Sequence, residues 1–214
     1  MERAMKVKCS MALVAVAMAR WQTLAAPVAW TDFGAGLDGW TAVGDGSISW
    51  QSTGGNPGGF LRAVDPASGP NTDAAAPAKF PGDWRAYEGT GTISADATII
   101  SGGAVSDGME FLLAGPGGAA HHRWPTSAGP PHGAWATFSL PIEESAPEVT
   151  SGTWSDLLAN VTSLRIDLEH VTGTETTGLD NVVLTPEPAA MWLLAFAAPA
   201  LVRRRRGPLR DRAG

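Results

Sequence analysis

Apolar residues in this chain come in short runs, many alternating with polar ones, and the runs break at glycine, proline, asparagine or aspartate. Alternation is clearest in Leu164-Arg165-Ile166-Asp167-Leu168-Glu169, where every second residue is apolar, the period of a strand with one buried face. The same reading predicts strands at 28–33, 40–43, 47–51, 60–64, 78–80, 91–100, 109–113, 121–124, 134–140, 163–169 and 178–184. Glycine- and proline-rich stretches at 54–59, 115–118 and 129–133 read as turns. A helix is expected only over 153–160, capped by Ser155 or Asp156 ahead of Leu157 and Leu158. Many short strands between frequent turns predict an all-β fold, an antiparallel β-sandwich of the jelly-roll type.

The two ends break this pattern. Arg3, Lys6 and Lys8 precede an uncharged, mostly apolar run at 9–19, and small residues follow at Ala25, Ala26 and Ala29. A basic lead, a short apolar run and small residues at a cut point are the marks of a secretory signal, expected over 1–29 as a signal helix. The single cysteine, Cys9, lies inside it. A processed chain would then have no disulfide, no cysteine nucleophile and no thiolate metal site.

At the other end Pro186-Glu187-Pro188 precedes fourteen residues without a charge (189–202), then Arg203, Arg204, Arg205 and Arg206. As a helix, fourteen residues reach about 21 Å, short of a hydrocarbon core of about 30 Å, and the arginines would hold that end on the cytoplasmic side. The order Pro-Glu-Pro, apolar stretch, arginine run resembles the PEP-CTERM sorting signal of Gram-negative bacteria. The resemblance implies a precursor held transiently at the inner membrane by this short hydrophobic helix. It also implies recognition and cutting by exosortase after passage through the secretion machinery, and release to the cell surface or extracellular matrix. The chain thus divides into a signal (1–29), a body (30–185), a sorting segment (186–206) and a basic tail (207–214).

Composition sharpens the reading of the body. The chain has 26 glycines and 16 prolines but only 17% charged residues, which disfavours a helical bundle. Its net charge of −6 hides an asymmetry: the body holds five basic and eighteen acidic residues, or 5 − 18 = −13. A domain this acidic cannot neutralise phosphates, so nucleic acid is excluded as a partner.

Most of the body resembles a second family. Phe60-Leu61-Arg62-Ala63-Val64-Asp65, then 76–84 ending in Lys79-Phe80-Pro81-Gly82-Asp83-Trp84, Tyr87 and the strand at 91–97 are similar to the laminin B (laminin IV type A) domain. Asp38-Gly39-Trp40-Thr41 and Leu179-Asp180-Asn181-Val182-Val183-Leu184 suit the same galactose-binding-like jelly roll. The resemblance implies an extracellular sandwich of adhesive or carbohydrate-binding type, without catalysis.

Seven tryptophans lie in the body, at 30, 40, 50, 84, 124, 135 and 154. Indole rings stack on the C–H faces of sugars, and they also fill cores. Trp40 and Trp135 lie within predicted strands and are expected in the core. Trp84 and Trp124 flank loops and are the candidate ligand-binding residues. Asp32, Asp38 and Asp180, near the two ends of the domain, are candidates for one structural Ca²⁺, which needs six to eight oxygens. His121 and His122 are adjacent and in a strand would face opposite ways, so they do not form a metal pair. Glu143, Glu144 and Glu148 read as solvated charge, and no nucleophile elbow or phosphate loop is present. The expectation is a non-enzymatic exported surface or matrix protein contacting extracellular polysaccharide or another surface protein. The alternatives are a carbohydrate-binding module with a defined sugar site and, behind it, a small secreted hydrolase.

Overall fold

The computed structural model describes residues 28–66 and 71–186. The expected signal up to residue 27 and the sorting segment from Glu187 through Arg206 lie outside the described residues, as does the tail. Among the described residues no helix is long and apolar enough to cross a membrane.

Among the described residues twelve strands and one α-helix follow in chain order: β1 (Ala29–Thr31), β2 (Thr41–Val43), β3 (Ser47–Gly55), β4 (Gly58–Asp65), β5 (Asp73–Ala75), β6 (Thr92–Ser101), β7 (Glu110–Gly115), β8 (Gly118–Arg123), β9 (Ala136–Pro141), β10 (Glu148–Gly152), α1 (Trp154–Ala159), β11 (Ser163–Asp167) and β12 (Glu175–Thr185). All the strand pairings are antiparallel. They form two six-stranded sheets, β3-β4-β12-β6-β9 with β1 added on β12, and β10-β8-β7-β11-β5-β2. The chain is therefore the antiparallel β-sandwich that the strand pattern predicts.

β12 organises the first sheet. One of its edges pairs with β6; the other takes β4 against 175–179 and β1 against 182–184. The hand-over falls at a register shift between Asp180 and Val183, where Asn181 has φ 47°. Asparagine tolerates that left-handed conformation, which a bulge of this kind uses to turn the strand.

The inward phase of each strand fills the core. Leu61, Ile93, Ala95, Phe138, Leu140, Leu179 and Leu184 come from the first sheet; Phe111, Leu113, Ala120, Leu164 and Ile166 come from the second. Phe33, Trp40, Phe80, Trp84 and α1 add further buried bulk, with the Trp40 and Phe80 rings 5.5 Å apart edge to face. At six residues α1 is too short to stand alone and persists because Trp154, Leu157 and Leu158 are buried. Its cap is Thr153, earlier than expected: the hydroxyl accepts the Asp156 N–H (3.1 Å) and donates to the Asp156 carboxylate (2.8 Å).

Two strands escaped the sequence reading and one predicted strand does not form. β5 is Asp-Ala-Ala, with no β-branched or aromatic residue, and is specified by its neighbours β11 and β2. β10 is an edge strand, mostly exposed and bulged between Val149 and Ser151. Residues 78–80 instead form a turn, with the Phe80 N–H on the Pro77 carbonyl (3.0 Å) and the Phe80 ring in the core.

Candidate functional site

The outward face of the second sheet gathers charge and a groove. Along β7, β8 and β11 the alternation that buries Phe111, Leu113, Ala120, Leu164 and Ile166 turns Glu110, Leu112, His121, Arg123, Arg165 and Asp167 the other way. Arg123 donates from Nε (3.0 Å) and Nη2 (2.5 Å) to Glu110 Oε2, and from Nη1 to Asp107 (2.9 Å). Glu110 Oε1 is held by His121 Nδ1, and His121 Nε2 lies 3.4 Å from Glu148. Arg165 Nη1 donates to Asp73 Oδ2 at 3.0 Å. Asp167, opposite Asp73, accepts from the Glu169 N–H (2.9 Å) and from Asn71 (3.3 Å).

This row of buried carboxylates is electrostatically strained. Burial pushes Asp167 up to about 7, with Asp73 and Glu110 adding to the rise. Burial also raises Asp73, against the opposing pull of Arg165. Chemically the row is a scaffold: it gives Arg123, Arg165 and His121 their carboxylate partners.

Beside it runs a groove of about 190 Å³. Leu112, Ala114 and Ala119 give it an apolar floor, and His121, Thr150, Ser163 and Arg165 a polar rim. The depression exists because small side chains stand between the longer ones. A few fixed polar groups around an apolar floor suit a ligand that is itself apolar on its face and polar at its edge.

The tryptophans singled out from sequence lie elsewhere. Trp84 is 1% exposed, with its Nε1–H on the Phe80 carbonyl (2.9 Å), and so offers no ring face to a ligand. Trp124 is wedged against Phe111 (5.2 Å), Phe138 (5.3 Å) and His122 (4.4 Å). Trp40 is in the core, as expected; Trp135 is on the outward face of the first sheet, edge-on to Phe60 at 5.6 Å. His121 and His122 do face opposite ways, the latter donating from Nδ1 to the Ala146 carbonyl (2.7 Å).

The three candidate calcium ligands already have partners. Asp38 is held by the Lys79 ammonium and by the Thr31 hydroxyl (2.9 Å), which keep its carboxyl below the ordinary range. Asp32 Oδ1 accepts the Gly34 N–H at 3.0 Å. Asp180 is fully buried and accepts the N–H groups of Asn56 (2.6 Å) and Asn181 (2.7 Å). Among the described residues no group of three or more His, Asp or Glu is placed to hold a metal ion. The donor set therefore does not fit a Ca²⁺ shared by Asp32, Asp38 and Asp180; the cation that Asp38 holds is an ammonium.

The groove-lining residues were missed because no sequence motif marks them. The only available signal was the outward phase of Arg165 and Asp167 in the alternating strand.

No protein-family model matches the chain, and no curated protein matches it. Several solved structures share its fold. The L4b domain of human laminin α-2 aligns over 74% of this chain and 97% of its own, with TM-score 0.54 and 12% identity. A family 11 carbohydrate-binding module from Clostridium thermocellum, in complex with a β-1,3-1,4-mixed-linked tetrasaccharide, aligns over 73% and 94%, with TM-score 0.51 and 18% identity. The CBM22-1 xylan-binding domain from Paenibacillus barcinonensis aligns over 76% and 96%, with TM-score 0.50 and 15% identity. At such identities the likeness is one of fold, the jelly-roll sandwich.

Proposed function

We propose that this chain is a non-enzymatic, exported polysaccharide-contact module that uses the outward face of the β10-β8-β7-β11 strands. The observation that carries the reading is the groove there, with its Leu112–Ala114–Ala119 floor and its His121, Thr150, Ser163 and Arg165 rim. A pyranose has an apolar C–H face and a hydroxyl edge, and it matches that division. The rim groups cost little to order because Arg165 and His121 are already fixed by Asp73 and Glu110. Two of the structures sharing the fold are described as binding polysaccharide fragments or xylan, which agrees with this reading.

Sorting completes the proposal: the signal exports the chain, and the tail holds it until exosortase cuts near Pro186-Glu187-Pro188. Affinity electrophoresis tests the binding. Migration is expected to be retarded in gels containing a neutral polysaccharide, and Ala119→Arg, which fills the groove, is expected to reduce that retardation. Unretarded migration of the wild type across a panel of neutral polysaccharides would refute the reading. For sorting, deleting 186–214 is expected to release soluble protein; membrane retention of the truncated chain would contradict it.

A further inference from the structure

On β1 the core takes Ala29 and Thr31, leaving Val28, Trp30 and Asp32 on the outward phase. Trp30 is 51% exposed, the most of any tryptophan among the described residues, whereas Trp40, Trp84 and Trp154 are buried. An indole left half in water forgoes a large apolar contact that the fold gives to its other rings. Beside it opens a hollow of about 470 Å³ lined by Trp30, Asp32, the Gly34–Gly36 backbone, Asp38 and Lys79.

The walls of the hollow are fixed. Lys79 Nζ donates to the Trp30 carbonyl (2.5 Å) and to Asp38, while Thr31 holds the same Asp38 oxygen. Asp32 Oδ1 is tied to the Gly34 N–H, and the turn is pinned from below by Trp50 Nε1 on the Phe33 carbonyl (2.6 Å). An exposed ring, a carboxylate acceptor and an ammonium donor thus surround one open space. Two carboxylates against one ammonium leave it with a formal charge of −1, which repels uronate or sulfated sugars and admits uncharged ones.

We infer that this hollow is a second glycan subsite, taking a neutral pyranoside residue with its C–H face on Trp30 and its hydroxyls toward Asp32 and Lys79. The inference rests on the reading of the chain as a polysaccharide-contact module. It places the subsite on the other sheet of the sandwich, so that one molecule holds two polysaccharide segments at once.

Titration calorimetry on the exported protein tests this, with neutral hexasaccharides of mixed-linked β-glucan, xylan and chitin as probes and a hexagalacturonate as the anionic one. A neutral probe is expected to bind at two sites. Trp30→Ala is expected to remove one of them, weakening it at least tenfold, while Trp30→Phe keeps it within about fivefold because a ring remains. Hexagalacturonate is expected to leave the Trp30 site empty. A single site abolished by Ala119→Arg and untouched by Trp30→Ala overturns the inference and leaves the groove reading standing. A single site lost in Trp30→Ala and retained in Ala119→Arg does the reverse. Absence of binding by every neutral probe overturns both. An unchanged melting temperature in Trp30→Ala separates lost binding from lost fold.

Discussion

Asp167 and Asp73 are register partners on β11 and β5, both buried on the same face of the second sheet. Burial raises both carboxyl groups, Asp167 to about 7. Between about pH 4, the ordinary aspartate value, and pH 7 the folded protein therefore keeps a proton that the unfolded chain has released. Stability is expected to fall as pH rises through that window and to level off above it. Glu175, raised to about 7, and Asp180, raised to about 6, act in the same direction, each chiefly through burial. His170, lowered to about 4 by burial, opposes them below pH 6.5, but the three raised acids outnumber it, so the urea midpoint should be higher at pH 5 than at pH 8. Asp167→Asn should stabilise at pH 8 by on the order of 1–3 kcal/mol, at about 1.4 kcal/mol per pKa unit, and change little at pH 4. A midpoint that rises from pH 5 to pH 8 would contradict this.

Asp180 and Asp96 tie the β3–β4 hairpin to the outward face of the first sheet. Asp180 takes the Asn56 and Asn181 N–H groups, and Asp96 Oδ2 takes the side-chain amides of the same two asparagines (3.0 and 2.8 Å). Asp180→Ala should cost about 2–4 kcal/mol by leaving two N–H groups unpaired. Hydrogen exchange should show the loss first at the Asn56 amide. Unchanged protection there would mean that the hairpin tip is held by something else.

The two variants Trp84→Ala and Trp30→Ala should separate packing from exposure. The first is expected to destabilise by about 3–5 kcal/mol, the cost of an emptied aromatic site in a core. The second should cost under about 1 kcal/mol, as surface substitutions do. Urea unfolding of both variants measures the difference; equal losses would show that Trp30 is a packing residue.

Calcium should have little effect on stability. Lys79 stands where Asp38 would need a cation, and Asp180 is consumed by backbone N–H groups. Adding Ca²⁺ after chelation is expected to leave the melting temperature unchanged within about 1 °C; at 100 times its Kd, a bound ion would stabilise by about 2.7 kcal/mol, a shift of several degrees. A shift of that size would contradict the reading that these three carboxylates hold no calcium.

Alternation carried the sandwich: Leu164-Arg165-Ile166-Asp167 declares its two faces before any partner is known. β5 was not legible, because Asp73-Ala74-Ala75 becomes a strand through pairing with β2 and with Arg165, Ile166 and Asp167, which lie ninety or more residues away. The tryptophans misled for a related reason. Loop flanking suggested exposure for Trp84, yet its ring is buried, with its indole N–H on the Phe80 carbonyl and its backbone N–H on the Leu158 carbonyl. Trp30 was readable in principle, since it shares the outward phase of Asp32. The groove was not, being a depression left by Ala114, Ala119 and Ser163 on three strands whose adjacency the sequence does not fully show.

The most direct test of polysaccharide contact at the second sheet is an amide chemical-shift map of the protein titrated with a neutral hexasaccharide that it binds. Perturbations should include Leu112, Ala119, His121, Ser163 and Arg165, and those at the groove should vanish in Ala119→Arg. Perturbations that leave these five residues unmoved would contradict the assignment of that face as the binding surface.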